Sequence, residues 1–288
     1  MDELPQERAE ILIPLLIGYT ECRDFMLSLL VKNKFEDDEF LSTIFNLLNF
    51  ISERSIAITL LIQQNCLWDA QIIMRTILEA SVKLFYLCDG SDIERKQKLQ
   101  EYLKDLEEIN SLKQSDTAKK IIADFENDPD FTIQYRPIVL TKEREEYLRE
   151  KWIKQKRKTL EQKWSFSELI RHQAKELKGL EKMVLAFSHP YKMSSHLIHA
   201  DETGLGIIAE RSVRSEADKH KIELHHFCSL MKYSVDNLFL CGLVLCRLFK
   251  ENPKPLLDKY NQLSPVFEQI AAYSKDVFMD PSYDNFRQ

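Results

Sequence analysis

Trp68-Asp69-Ala70-Gln71-Ile72-Ile73-Met74-Arg75-Thr76-Ile77-Leu78-Glu79-Ala80-Ser81-Val82-Lys83-Leu84-Phe85-Tyr86-Leu87-Cys88 is apolar around most of its circumference, and Asp89-Gly90 closes it with a helix-stop signal. Just upstream, Leu41, Ile44, Phe45, Leu48, Ile51, Ile58 and Ile62 recur at three- and four-residue spacing from Asp38 onward. Gln63-Gln64-Asn65 is the only break between the two segments. Two long helices joined by so short a turn pack antiparallel, which predicts a helical hairpin over Asp38–Cys88.

Outward from this hairpin the pattern stays helical. Glu7–Lys32 is expected to be a helix bent or interrupted at Pro14. Ile93–Leu112 is amphipathic, and Phe166–Leu177 has helical spacing. Ser188-His189-Pro190 opens a helix, with proline expected at its first position, that runs to about Ala200. Asp201-Glu202-Thr203-Gly204-Leu205-Gly206 is expected to end it. Ser215–Lys250 is a long segment, apolar nearly all round near its end, and Val266–Phe278 closes the fold. Residues 128–140 hold Pro129 and Pro137 and form the one candidate irregular or extended stretch; residues 128–165 are a candidate polar insertion, and 279–288 a loose tail. The expected architecture is an all-α bundle of about eight to ten helices, one domain over 1–288 with its core in 38–250.

Composition narrows the function classes. Six glycines and nine prolines in 288 residues are too few for barrels or doubly wound sheets, and neither G-x-G-x-x-G nor G-x-x-x-x-G-K-[ST] occurs. The acidic start Met1-Asp2-Glu3-Leu4-Pro5 has no basic region leading into an apolar stretch. The longest apolar runs, Ile11–Tyr19 and Leu238–Cys246, are nine residues each, too short to span a bilayer; the expectation is a cytoplasmic chain without a membrane partner. Cys22, Cys66, Cys88, Cys228, Cys241 and Cys246 are scattered among apolar neighbours with no C-x-x-C, as expected of free thiols. The net charge of −6 offers nucleic acid no global attraction, so any such binding needs a local patch.

Two polar stripes carry the chemistry. Gln71, Arg75, Glu79 and Lys83 are four apart and share one face of an otherwise apolar helix. They form either a self-paired ladder facing solvent or the wall of a cleft in which Glu79 neutralises Arg75. Tyr191, Ser195 and His199 share one face of the helix that follows Pro190. His199 can act as acid or base and Arg75 can stabilise a developing anion. The other reading is a hydrogen-bonded structural histidine. Activation of Ser195 as a nucleophile lacks a G-x-S-x-G elbow.

Arg75-Thr76-Ile77-Leu78-Glu79-Ala80 fits R-[ST]-x-x-E-A, and Tyr191, Ser195 and His199 fit Y-x-x-x-S-x-x-x-H. Over roughly residues 40–205 the chain resembles an uncharacterised bacterial all-helical family, a domain of unknown function with both motifs. That family in turn loosely resembles HEPN-type bundles. The resemblance implies a metal-independent ribonuclease of toxin or phage-defence type, without cofactor, acting on RNA as a homodimer, with a protein partner from the same operon as a further expectation. Arg75, Glu79, Tyr191, Ser195 and His199 then form the catalytic set. The Arg-x(4–6)-His signature of HEPN ribonucleases is met by Arg214 and His220, a second choice. Fourteen arginines and seven histidines produce about one such match by chance. A non-enzymatic binding or regulatory subunit is the alternative.

Two further patterns are weaker. Glu223-Leu224-His225-His226 contains one Glu-x-x-His unit, which di-iron bundles use twice, and no second copy exists, so no metal is expected. Lys151, Trp152, Lys154, Lys156, Arg157 and Lys158, with Trp164 downstream, form a basic run with aromatics that can track a phosphate backbone and stack a base. Glu143, Glu145, Glu146 and Glu150 precede it, as on an ordinary solvated helix. The apolar Leu238–Cys246 segment was a further reason to expect a second subunit as its cover.

Overall fold

The computed structural model describes residues 5–278, and all regular structure among them is helical. Asp38 accepts a hydrogen bond from the Leu41 amide (3.0 Å) and so caps α2 (Glu39–Gln63). A turn through Asn65, which holds φ +58°, leads into α3 (Leu67–Cys88); Gly90, at φ +89°, follows its end. The expected hairpin is therefore present, and the tail expected at 279–288 lies outside the described residues. Ahead of it, α1 (Gln6–Lys32) runs through Pro14 without interruption. Its buried face, including Ile11, Leu15, Tyr19 and Cys22, outweighs the one backbone bond that proline removes.

The chain divides into two compact units, residues 1–89 with 170–288, and residues 90–169. In the first, α3 is central and packs on α2, on α11 (Ser188–His199) and on α13 (Glu216–Phe249). The 34 residues of α13 extend for about 50 Å, capped by Ser215, and also pack on α1 and α15 (Ser264–Phe278). Three short helices complete this unit: α10 (Glu181–Ala186), α12 (Glu202–Ser212) and α14 (Lys254–Asn261). Leu238, Leu240, Cys241 and Leu245 are fully buried within the subunit, so the apolar stretch that suggested a dimer already has its cover. By length and composition alone α2 and α13 could cross a membrane, but 78% of the apolar window of α13 is packed inside the protein, against 33% for α2.

The second unit contains α4 (Asp92–Gln100), a π-turn at Glu101–Asp105, α5 (Leu106–Asp124), α6 (Pro129–Thr132), α7 (Lys142–Lys151) and α8 (Lys154–Lys163). The boundary at 169/170 falls inside α9 (Phe166–Glu176). Ile109, Leu112, Leu148 and Trp152 form its core, with Leu140 and Leu160 against them. The compact unit that holds residues 128–165 is wider than that segment, because α5 supplies Ile109 and Leu112, two of its four core residues. Residues 128–140 form a helical turn and a 3₁₀ turn rather than a strand. Breaking into short pieces here and after Glu176 raises the helix count above eight to ten.

Candidate functional site

The polar stripe of α3 faces α11. Gln71, 5% exposed, donates from Nε2 to the Pro190 carbonyl (3.0 Å) and to Ser194 Oγ (2.9 Å). The buried Ser194 hydroxyl returns a bond to the Gln71 carbonyl (2.6 Å) and lies 2.7 Å from that of Pro190. On the other side Gln71 Oε1 meets His226 Nε2 of α13 at 3.2 Å, and Arg211 Nη1 of α12 reaches His226 Nδ1 at 3.1 Å. A guanidinium only donates, so Nδ1 accepts and Nε2 carries the hydrogen given to Gln71. His226 is therefore a neutral imidazole with one defined tautomer. Burial first, then Arg211 and His225, push its pKa down to about 3. Arg211 also lies over the Trp68 ring at 3.9 Å, and that ring packs on His226. This half of the stripe ties four helices together and holds no group able to exchange a proton near neutrality.

One turn along, Arg75 donates from Nε to Glu79 (2.9 Å), from Nη1 to Ser195 Oγ (3.2 Å) and from Nη2 to the Tyr191 hydroxyl (3.2 Å). Its guanidinium also lies 4.8 Å from the centre of the Tyr191 ring. The Arg75 side chain is 22% exposed and that of Glu79 35%. Arg75 is therefore neither a solvent-facing ladder residue nor fully enclosed. Three of its five N–H groups are taken by these partners. Burial opposes the charge on Arg75, but Glu79 and Tyr191 outweigh it and raise its pKa. Burial and the Glu79 carboxylate raise the pKa of Tyr191 against the pull of Arg75, so the phenol keeps its proton and hydrogen-bonds Glu79.

His199 lies one turn beyond Ser195 on the same column, exposed, with no hydrogen bond or ion pair among the described residues. The structure thus brings together Arg75, Glu79, Tyr191 and Ser195, and leaves His199 at the open end of their row. Lys83 is half-buried and takes no part.

The end of α11 carries a feature not anticipated from sequence. Ala200 adopts φ +46°, which turns Asp201 back so that its Oδ2 accepts from His196 Nδ1 (2.7 Å) while Oδ1 caps α12 through the Gly204 amide (3.0 Å). The His196 hydrogen bond is the main cause of the lowered Asp201 pKa. Glycine at 204 is required: a Cβ there would lie 2.5 Å from the His196 carbonyl oxygen. α11 thus ends before Asp201–Gly206, as expected, and the same residues start α12.

Other candidates separate. Arg214 precedes α13 and pairs with Glu210, whereas His220 pairs with Glu7 of α1 (2.6 Å), so the Arg-x(4–6)-His match forms no joint site. Glu223 accepts from Asn65 (3.3 Å) while His226 serves Gln71, which parts the Glu-x-x-His unit. Among the described residues no three His, Cys, Asp or Glu side chains gather for a metal. In the basic run, Trp152 is 8% exposed and donates to Glu108 (2.8 Å), and Lys151 donates to the same carboxylate (2.6 Å). Burial raises the Glu108 pKa, but Lys151, Trp152 and Arg144 together bring it below the usual value. Trp164, also buried, donates to Glu101 (3.0 Å). These indoles are core, not stacking platforms, because a tryptophan at helical spacing beside Leu148 and Leu160 buries more area than it can expose. Of the basic run, Lys154, Lys156 and Lys158 are exposed on α8, beside a half-buried Arg157.

No curated protein and no solved structure matches the chain. A family model described as a family of unknown function, DUF5677, matches residues 41–218, which span α2 to the start of α13 and include both polar stripes. This chain belongs to the DUF5677 family.

Proposed function

We propose that the α3–α11 site cleaves RNA without a metal, in the manner of HEPN-type effectors of toxin and defence systems. RNA carries its own nucleophile in the 2′-hydroxyl, so cleavage needs only a proton acceptor, a proton donor and a cation for the phosphorane charge. The observation that carries the proposal is the placement of Arg75. It is fixed by Glu79, Tyr191 and Ser195, yet keeps two N–H groups and partial exposure, and an exposed imidazole, His199, stands one turn further along. In this scheme His199 transfers the proton, Arg75 holds the phosphate, Glu79 orients Arg75, and Tyr191 and Ser195 position the scissile group.

The test is incubation of single-stranded RNA with purified protein in chelator. Cleavage is expected for wild type, with a loss of ~100-fold or more in His199→Ala and in Arg75→Gln. Equal cleavage by all three proteins, or by none, would remove the proposal. A second reading, a non-enzymatic binding or regulatory bundle, is favoured by the Gln71–Ser194–His226–Arg211 network, whose side chains hydrogen-bond one another across four helices. It predicts RNA or ligand binding that His199→Ala leaves intact, with no cleavage.

A further inference from the structure

We propose that His196, held by Asp201, is the general base of this site and that His199 is its general acid; the inference rests on the RNA-cleaving reading above. Metal-independent cleavage by the 2′-hydroxyl needs two proton transfers, one from the attacking oxygen and one to the departing oxygen, and a single imidazole cannot perform both in one step. On α11 the two histidines are three residues apart, which places neighbouring side chains about 5–6 Å apart at Cβ on a helix surface.

The two imidazoles are not equivalent. Among the described residues His199 has no hydrogen-bond or ion-pair partner, whereas His196 has a carboxylate on Nδ1 at 2.7 Å and leaves Nε2 without a hydrogen bond. The His196 side chain is 41% exposed. A carboxylate on Nδ1 selects the tautomer with its lone pair on Nε2, the lone pair a general base uses. Asp201 cannot drift from this post. Its other oxygen caps α12, the Ala200 backbone is held in the left-handed region, and Gly204 lets α12 close onto the His196 carbonyl. Asp201 is thus a positioning residue, and His196 the group that meets the substrate.

The step balances as follows. The 2′-oxygen attacks phosphorus while its proton passes to His196 Nε2. The bond from phosphorus to the 5′-oxygen breaks, and that oxygen takes the proton carried by His199. Arg75 offers its remaining N–H groups to the non-bridging oxygens. The products are a 2′,3′-cyclic phosphate and a 5′-hydroxyl end. The histidines leave the step with their protonation states exchanged and return by exchange with water.

The test uses the full chain, a labelled single-stranded RNA, and the same oligonucleotide in 2′-deoxy form as a binding probe that cannot react. Wild type, His196→Gln, His196→Ala and Asp201→Asn are compared in chelator. Asparagine caps a helix as well as aspartate, so Asp201→Asn keeps the corner folded and replaces the carboxylate facing the imidazole by a neutral amide. The expectation is a fall in kcat of ~100-fold or more for His196→Gln and ~10-fold or more for Asp201→Asn, with unchanged affinity for the deoxy probe. Free imidazole should restore part of the rate in His196→Ala, which a purely structural histidine would not allow. Nitrogen NMR of the neutral imidazole should show the Nδ1–H tautomer at His196 in wild type and its loss in Asp201→Asn. If wild type cleaves RNA and His196→Gln stays within 3-fold of it, the inference is overturned while the RNA-cleaving reading stands. If wild type cleaves no RNA, both are overturned.

Discussion

Replacing Gly204 by alanine tests how α11 and α12 meet, and the expected sign opposes helix propensity. Gly204 lies inside α12, where alanine is ordinarily favoured over glycine by about 1 kcal/mol. Here the added Cβ would stand 2.5 Å from the His196 carbonyl oxygen, 2.8 Å from its carbon and 3.1 Å from the Leu197 nitrogen. All three are backbone atoms of a neighbouring helix, so no rotamer change relieves the clash, and α12 must move off α11. Overpacking of this kind costs about 1–3 kcal/mol, which leaves a net loss of roughly 1 kcal/mol after the propensity gain. Gly206 provides the internal control. It lies in the same helix, and a Cβ there meets nothing within 4 Å, so Gly206→Ala should stabilise by about 0.5–1 kcal/mol. Urea denaturation followed by circular dichroism measures both. The argument fails if Gly204→Ala is as stable as Gly206→Ala, since the contact with His196 would then impose no constraint.

Gln71→Leu should destabilise by about 2 kcal/mol or more by equilibrium denaturation, because His226 Nε2–H and the buried Ser194 hydroxyl both lose a partner. The neutral His226 imidazole makes stability pH-dependent: its contribution is full above the unfolded value near ~6.5 and is lost as pH falls toward about 3. Unfolding free energy should therefore decline through that window by up to about 1.4 kcal/mol per pH unit, and His226→Gln should flatten the decline. Burial pushes the thiol pKa to about 11 at Cys22 and about 12 at Cys228 and Cys241, while Cys66 alone of the six is not buried. One thiol should react quickly with an aromatic disulfide at pH 8 and the others only after unfolding, and Cys66→Ser should abolish the fast phase.

Much of the fold was legible because apolar spacing at three and four residues reports directly on which face a helix buries. The hairpin and the length of α13 follow from local residues alone. What failed locally was decided by packing. Pro14 sits inside a continuous helix because α1 lies along α13, and a further helix, α12, follows α11 at once, with Gly204 at the close approach of the two. The union of Arg75 with Tyr191 and Ser195 was foreseeable from two stripes of matching polarity. The roles of His226 and Arg211 were not. Glu223-x-x-His226 has the spacing of metal ligands, and only the third dimension shows those side chains pointing to Asn65 and Gln71 instead. The indoles of 152 and 164 misled for a related reason: a basic run with aromatics has one spelling whether the rings face solvent or line a core.

End-group analysis of RNA incubated with the protein in chelator bears most directly on the α3–α11 site as a phosphate-handling centre. If the site cleaves RNA as proposed, fragments end in a 2′,3′-cyclic phosphate and a 5′-hydroxyl, formed by wild type and absent with Arg75→Gln. Intact RNA at every protein concentration, or fragments with 3′-hydroxyl ends, would mean that Arg75 and its neighbours on α11 hold the bundle together and do nothing more.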